Sequence, residues 1–270
     1  MIKLVALDLD HTLLGEDRLI SGRNKAAIAE ALELGIKVVL CTGRMFRASE
    51  RFARELNLSG PLICYNGALA KELASGETLF HQPLALELAK QLLRFAQDER
   101  LHVNFYYQDR LYFERWTEEA KFYTSQSQVP GEAVGDLLAF LPGPPTKLLF
   151  VLEPDRVQSM WRSLREEFAG KLNVTVSESR YLEFLAPRVN KGRALAALGE
   201  RLGIEAAEVM AIGDSFNDLE LIRAAGLGVA MANAPQAVKA EADFVTQSNG
   251  EDGVAGAIEK FILKEEGNAR

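Results

Sequence analysis

A repeated alternation limits the fold of this chain more than any other feature. Short apolar runs at Ile2–Leu7 (broken only by Lys3), Ile36–Cys41 and Leu62–Tyr65 are separated by segments with helical spacing. A run with no polar face reads as a strand buried on both sides. Strands alternating with helices of this length imply a parallel sheet with right-handed crossovers, an α/β fold. Ser21 is a suitable N-cap for the first helix. Ala26, Ala27, Ile28, Ala31, Leu32 and Leu34 give that helix its apolar face, and Gly35 stops it. Thr12 to Ile20 reads as a loop, and a second helix extends through about Arg54.

The rhythm changes near Pro83. A helix over Leu84–Arg100 leads to Val103–Tyr107 and Leu111–Glu114, which flank Gln108-Asp109-Arg110 as an antiparallel hairpin. Phe105, Tyr106, Tyr107, Tyr112 and Phe113 fit the two faces of that hairpin as packing residues. Val129–Pro145, with three glycines and four prolines, reads as a loop with at most a short helix around Gly135–Leu141. A strand at Lys147–Leu152, a helix at Asp155–Phe168 and runs at Asn173–Ser177 and Tyr181–Leu185 follow. After Pro187 the α/β alternation resumes: a helix from Lys191 to Leu202, a strand at Val209–Ile212 and a helix carrying Leu219, Leu221 and Ile222. Strands at Leu227–Ala230 and Phe244–Val245 and a helix at Val254–Leu263 close the chain. The expected organisation is a Rossmann-like core of residues 1–82 and 188–270, interrupted by an α+β insert of residues 83–187.

A length of 270 residues permits a large core, and 48% hydrophobic with 26% charged residues is an ordinary globular balance. The net charge of −7 argues against a general nucleic-acid or anionic-membrane surface. Cys41 and Cys64, each within an apolar run, are expected to be buried free thiols. With no apolar run near membrane-spanning length and no basic-then-apolar leader, a cytoplasmic location is expected.

The first three apolar runs lead into polar residues: Asp8 with Asp10, then Thr42-Gly43-Arg44, then Asn66-Gly67. In an open α/β sheet, ligands bind in the crevice beyond the carboxyl ends of the strands. One Asp-x-Asp could be a solvated acidic turn, but several adjacent strand ends describe the lip of one site. The strand at Val209 adds Asp214, Asn217 and Asp218, and Lys191 opens a helix. Four carboxylates in one cleft would repel by several kcal/mol at protein-like dielectric, and a hard divalent cation would make them tenable. Mg²⁺ suits the site, since it takes oxygen ligands from one or two carboxylates plus substrate phosphate. Thr42, Lys191 and the backbone amides near Gly43 supply what phosphate oxygens need. Together these features point to phosphoryl transfer.

Asp8-Leu9-Asp10-His11-Thr12, Thr42, Lys191 and Gly213-Asp214-Ser215-Phe216-Asn217-Asp218 resemble, in that order, the four motifs of the haloacid dehalogenase superfamily. The large insert and Asn66-Gly67-Ala68 resemble its Cof-type sugar-phosphate phosphatase branch. His11 departs from the pattern, which most often has glycine there, and is expected to be a turn residue.

The resemblance implies a Mg²⁺-dependent phosphatase acting on small phosphomonoesters, with sugar phosphates the expected class. It implies that Asp8 is the nucleophile, forming an aspartyl-phosphate, and that Asp10 is general acid and then general base. Mg²⁺ would be held by Asp8, the Asp10 main-chain carbonyl and Asp214. Thr42, Lys191, Asn217 and the main chain at Leu9 and Gly43 would bind the phosphoryl oxygens. Asp218 would orient Lys191 or a metal-bound water. Arg44 and Asn66 are candidate substrate contacts, and the insert would act as a cap choosing the leaving group.

A phosphomutase of the same superfamily shares this chemistry. A non-enzymatic phospho-acceptor switch also combines aspartates, a threonine and a lysine, but it has no inserted domain and lacks an acid two residues after the acceptor. The expected partner is a small phosphorylated metabolite, with the chain a monomer or weak homo-oligomer.

Overall fold

The computed structural model describes residues 1–264, which divide into two compact units, Met1–Leu79 with the segment from Asn190 onward, and Phe80–Val189. In the first unit, five parallel strands form a sheet in the order Phe244–Val245, Leu227–Ala230, Val209–Gly213, Leu4–Leu7, Lys37–Leu40. Leu4–Leu7 lies inside the sheet, between Val209–Gly213 and Lys37–Leu40, with every residue fully buried, which explains a run with no polar face. Helices Gly22–Glu33, Phe46–Glu55, Lys191–Leu202 and Leu219–Ala224 lie in the connections between strands. Ser21 Oγ accepts the Asn24 N–H to start the first helix. Asn24 Oδ1 in turn accepts the Ala255 N–H, which accounts for a fully buried asparagine. Cys41 and Cys64 are buried free thiols.

The register places the strand ends side by side. Leu7 is level with both Leu40 and Ile212, so Asp8 follows the strand row at the same height as Cys41 and Gly213. Asp8 N–H donates to the Ile212 carbonyl (3.0 Å), and Cys41 N–H donates to Leu7 (2.8 Å).

The third apolar run behaves differently from expectation. Pro61–Cys64 touches the parallel sheet through a bridge between Cys41 and Ile63, but its ladder belongs to a separate antiparallel sheet with Leu69–Glu72 and Thr78–His81. The tight turn Tyr65–Gly67 reverses the chain so that Leu69–Glu72 pairs back on it.

The second unit is a six-stranded mixed sheet ordered Asn173–Glu178, Tyr181–Leu185, Lys147–Val151, His102–Tyr107, Arg110–Phe113, Gly131–Ala133. Gln108 and Asp109 both adopt positive φ between the paired Tyr107 and Arg110, as a two-residue hairpin turn requires. Alternation sorts the faces. Leu148, Phe150, Phe105, Tyr112, Leu182 and Phe184 form one core with helices Leu86–Asp98 and Pro154–Glu167. On the other face Lys147 Nζ and Ser177 Oγ both donate to the buried Glu183 carboxylate, at 2.9 and 2.8 Å. The loop expected over residues 129–145 contains the helix Leu137–Phe140 and also a strand, Gly131–Ala133, beside Arg110–Phe113. Among the described residues no helix is long and apolar enough to cross a membrane.

Candidate active site

Asp8 leaves its strand with its N–H bonded to the Ile212 carbonyl and its side chain almost wholly buried. Lys191, the first residue of its helix and completely buried, donates from Nζ to Asp8 Oδ1 (2.5 Å) and to Asp218 Oδ1 (2.6 Å). Asn190 positions that helix by capping it, its Oδ1 accepting the Arg193 N–H. Asp218 uses its second oxygen to accept the backbone N–H groups of Asp214 (3.1 Å) and Ser215 (3.0 Å), closing the turn after Gly213. Asp214 accepts from the Thr12 hydroxyl at 2.9 Å. Ligand atoms of Asp8, Asp214 and Asp218 all lie within 4.8 Å of one another.

The electrostatics of this cluster are unbalanced. Burial, aided by Asp218 and Asp214 and opposed by Lys191, pushes the Asp8 carboxyl well above the usual carboxylate range. Burial and the Asp218 charge push Asp214 up to about 6. Burial alone would lower Lys191, but the charges of Asp218 and Asp8 outweigh it and hold the ammonium above the ordinary lysine range. Three clustered carboxylates against one ammonium leave a charge that a divalent cation would balance. Both oxygens of Asp218 are occupied by Lys191 and backbone N–H groups, so Asp8 and Asp214 are the better-placed ligands. The donor set, hard oxygen from buried carboxylates, fits such an ion.

A second group lies beside it. The half-buried Asp10 receives a two-pronged ion pair from Arg44, Nε to Oδ2 (2.7 Å) and Nη2 to Oδ1 (2.5 Å). Burial would raise Asp10, but the Arg44 hydrogen bonds and charge outweigh it and hold the carboxyl below its ordinary range. After Asp10 the chain turns sharply at His11, whose φ is +60°. A left-handed residue here accounts for a position where glycine fits most easily. The His11 carbonyl accepts from Asn233 Nδ2 (2.9 Å).

Thr42, fully buried, accepts the Arg44 N–H on Oγ1 (3.1 Å), which directs its hydroxyl proton elsewhere. At Gly43 a Cβ would stand 2.9 Å from Asn66 Oδ1, so any larger residue there would have to displace the Asn66 carboxamide. Asn66 accepts from Asn217 Nδ2 at 3.0 Å, and Ser215 Oγ donates to Asn217 Oδ1. The structure therefore collects Asp8, Asp214, Asp218 and Lys191 in one cluster, Asp10 with Arg44 in a second, and Gly43, Asn66 and Asn217 in a third. Leu9 is buried, its carbonyl accepting the Leu14 N–H. Thr12 has no role legible in the sequence, although a hydroxyl two residues after an aspartate pair is a ready partner for a nearby carboxylate, here Asp214.

A model of the haloacid dehalogenase-like hydrolases matches residues 5–258. The chain belongs to this family. This hydrolase is 35% identical over 97% of its length to the putative phosphatase YxeH of Bacillus subtilis, covering 99% of that protein. It is also 35% identical to the B. subtilis 5-amino-6-(5-phospho-D-ribitylamino)uracil phosphatase YcsE, over 97% of this chain and 96% of the relative. A crystal structure of a haloacid dehalogenase-like hydrolase from Bacteroides thetaiotaomicron superposes with a TM-score of 0.89 at 33% identity, covering 97% of this chain and 100% of the other. The hydrolase thus has the family's parallel-sheet core with an inserted second unit.

Proposed function

We propose that this hydrolase is a Mg²⁺-dependent phosphatase of small phosphomonoesters, sugar phosphates and phosphorylated polyols foremost. The observation that carries the reading is the buried Asp8 carboxylate, paired with Lys191 and packed against Asp214 and Asp218 with excess negative charge. Relatives named as phosphatases, one acting on a phosphorylated ribityl compound, support the substrate class.

In this reading Asp8 attacks phosphorus, forming a phosphoryl ester on its carboxylate while the bond to the leaving oxygen breaks. Lys191 holds the Asp8 carboxylate in place and neutralises charge on the transferring oxygens. Thr42 donates its hydroxyl proton, and Gly43 lets the backbone approach the phosphate closely. Asp8 and Asp214, with the Asp10 carbonyl, would hold Mg²⁺, which when bound screens nucleophile and phosphate from each other. Thr12 keeps Asp214 in orientation through its 2.9 Å bond. Asp10, ionised beneath Arg44, is ready to take a proton from the hydrolytic water. To give a proton to the leaving oxygen first, it must exchange the guanidinium for a proton, so Arg44 turns away when substrate binds. The second unit, Phe80–Val189, selects the leaving group.

The test is turnover of p-nitrophenyl phosphate and a panel of sugar and polyol phosphates with Mg²⁺ and with chelator. Hydrolysis that needs Mg²⁺ is expected, and a protein inert towards all of them would overturn the reading.

Metal linkage gives a further expected result. Asp214 moves from about 3.9 in an unfolded chain to about 6 in the fold. Without cation, the stability this group contributes is present below the lower value and lost as pH rises through the upper one. Mg²⁺ needs the ionised carboxylate, so its affinity falls about tenfold per pH unit below that point. The rise in melting temperature with Mg²⁺ is therefore expected to be small at acidic pH and to grow towards neutrality. An increment independent of pH would remove Asp214 as a ligand.

A further inference from the structure

The turn Tyr65–Gly67 is strained and central. Three successive residues, Tyr65, Asn66 and Gly67, have φ of +52°, +54° and +99°, and Asn66 is 3% exposed. Non-glycine residues in this region cost free energy, and such strain persists where surrounding structure enforces it. Here three neighbours do so. The Tyr65 N–H donates to the Arg44 carbonyl (2.9 Å) and the Asn66 N–H to the Thr42 carbonyl (3.0 Å), gripping both ends of the Thr42–Arg44 loop. A side chain on Gly67 would strike the Asn190 carbonyl, just before Lys191. The Asn66 carboxamide fills the space beside Gly43 and accepts from Asn217, 151 residues away.

That last bond fixes which way an amide points. Asn217 Oδ1 accepts from Ser215 and one Nδ2 hydrogen goes to Asn66, so the planar carboxamide has a single orientation. Its second N–H is left as the donor for an anion. Turned over, the same group would present a carbonyl oxygen to a phosphoryl oxygen, which repels. Resting on the phosphatase reading, we propose that Asn66 is a positioning residue: it acts through Asn217, holding that amide with its N–H towards the phosphoryl group, and does not itself contact the substrate.

The test is the binding of inorganic phosphate, followed by calorimetry and as competitive inhibition of p-nitrophenyl phosphate turnover, in single and double variants. One hydrogen bond to a charged group corresponds to roughly tenfold in affinity. Asn217→Ala should weaken phosphate by roughly that factor in the wild type. It should do the same in Asn66→Asp, which keeps an acceptor and tolerates the left-handed backbone. In Asn66→Gly, where the amide is already unheld, adding Asn217→Ala should change nothing further. Equal losses from Asn217→Ala in the wild type and in Asn66→Gly would overturn the proposal. So would disappearance of the Asn217→Ala effect in Asn66→Asp, a result readable even if Asn66→Gly does not fold. The calorimetric arm needs no turnover, so failure of the phosphatase reading and failure of this inference are told apart.

Discussion

Asp8→Asn is expected to lower turnover at least about a thousandfold while leaving a folded protein, because removing a catalytic nucleophile forfeits the whole covalent route. A carboxamide has nearly the shape of the carboxylate, yet its nitrogen and oxygen are poor nucleophiles towards phosphorus. Stability should not fall with activity. Asp8 is buried, and in the absence of cation its charge is disfavoured by desolvation and by Asp218 and Asp214. Neutralising it relieves that repulsion, while Lys191 keeps its 2.6 Å partner in Asp218. The expected outcome is an inactive protein whose metal-free melting temperature equals or exceeds that of the wild type. Full activity in Asp8→Asn would remove Asp8 as nucleophile. Inactivity together with a collapsed melting curve would make its role structural.

The core sheet was legible because its strands are buried on both faces, so Leu4–Leu7, Lys37–Leu40 and Val209–Gly213 carry little but apolar side chains. The same feature misled at Pro61–Cys64. A fully buried run looks alike whether its partner runs parallel or antiparallel, and the deciding element was the half-exposed Leu69–Glu72 beyond an unusual left-handed turn. The helix Glu118–Ser127 left no apolar stripe to read, since only Ala120 is buried in it. Gly131–Ala133 is a three-residue strand in a glycine- and proline-rich stretch, too short for a period. In the candidate site, Asp8 and Asp214 could be placed because each directly follows an apolar strand, with Asp10 and Asp218 in the turns just beyond. The pairing of Arg44 with Asp10 and of Thr12 with Asp214 joins residues 34 and 202 apart, and only the folded register brings those side chains together.

Lys191→Met should destabilise the protein by about 3–5 kcal/mol at pH 8, the range for removing one partner of a buried ion pair. The ammonium is completely buried and touches two carboxylates, one of them on the fully buried Asp218. Methionine fills most of the volume but supplies no charge and no donor, so Asp8 and Asp218 are left facing one another and Asp214. The recourse of Asp8 and Asp214 is protonation. Those two carboxyls must therefore titrate higher in the variant than in the wild type, where Lys191 opposes their rise. A raised carboxyl pKa in the folded state gives stability that is present at low pH and lost as pH climbs through it. The deficit relative to wild type should then be largest at pH 8 and shrink towards pH 5, as urea denaturation would show. Mg²⁺ should recover part of it at the higher pH, because a divalent cation can balance the charge the ammonium no longer does. A deficit that stays constant with pH would mean that Lys191 acts by packing alone. A wild-type unfolding midpoint at pH 8 would mean that the cluster does not depend on it, and that charge balance among Asp8, Asp214 and Asp218 is met by another route.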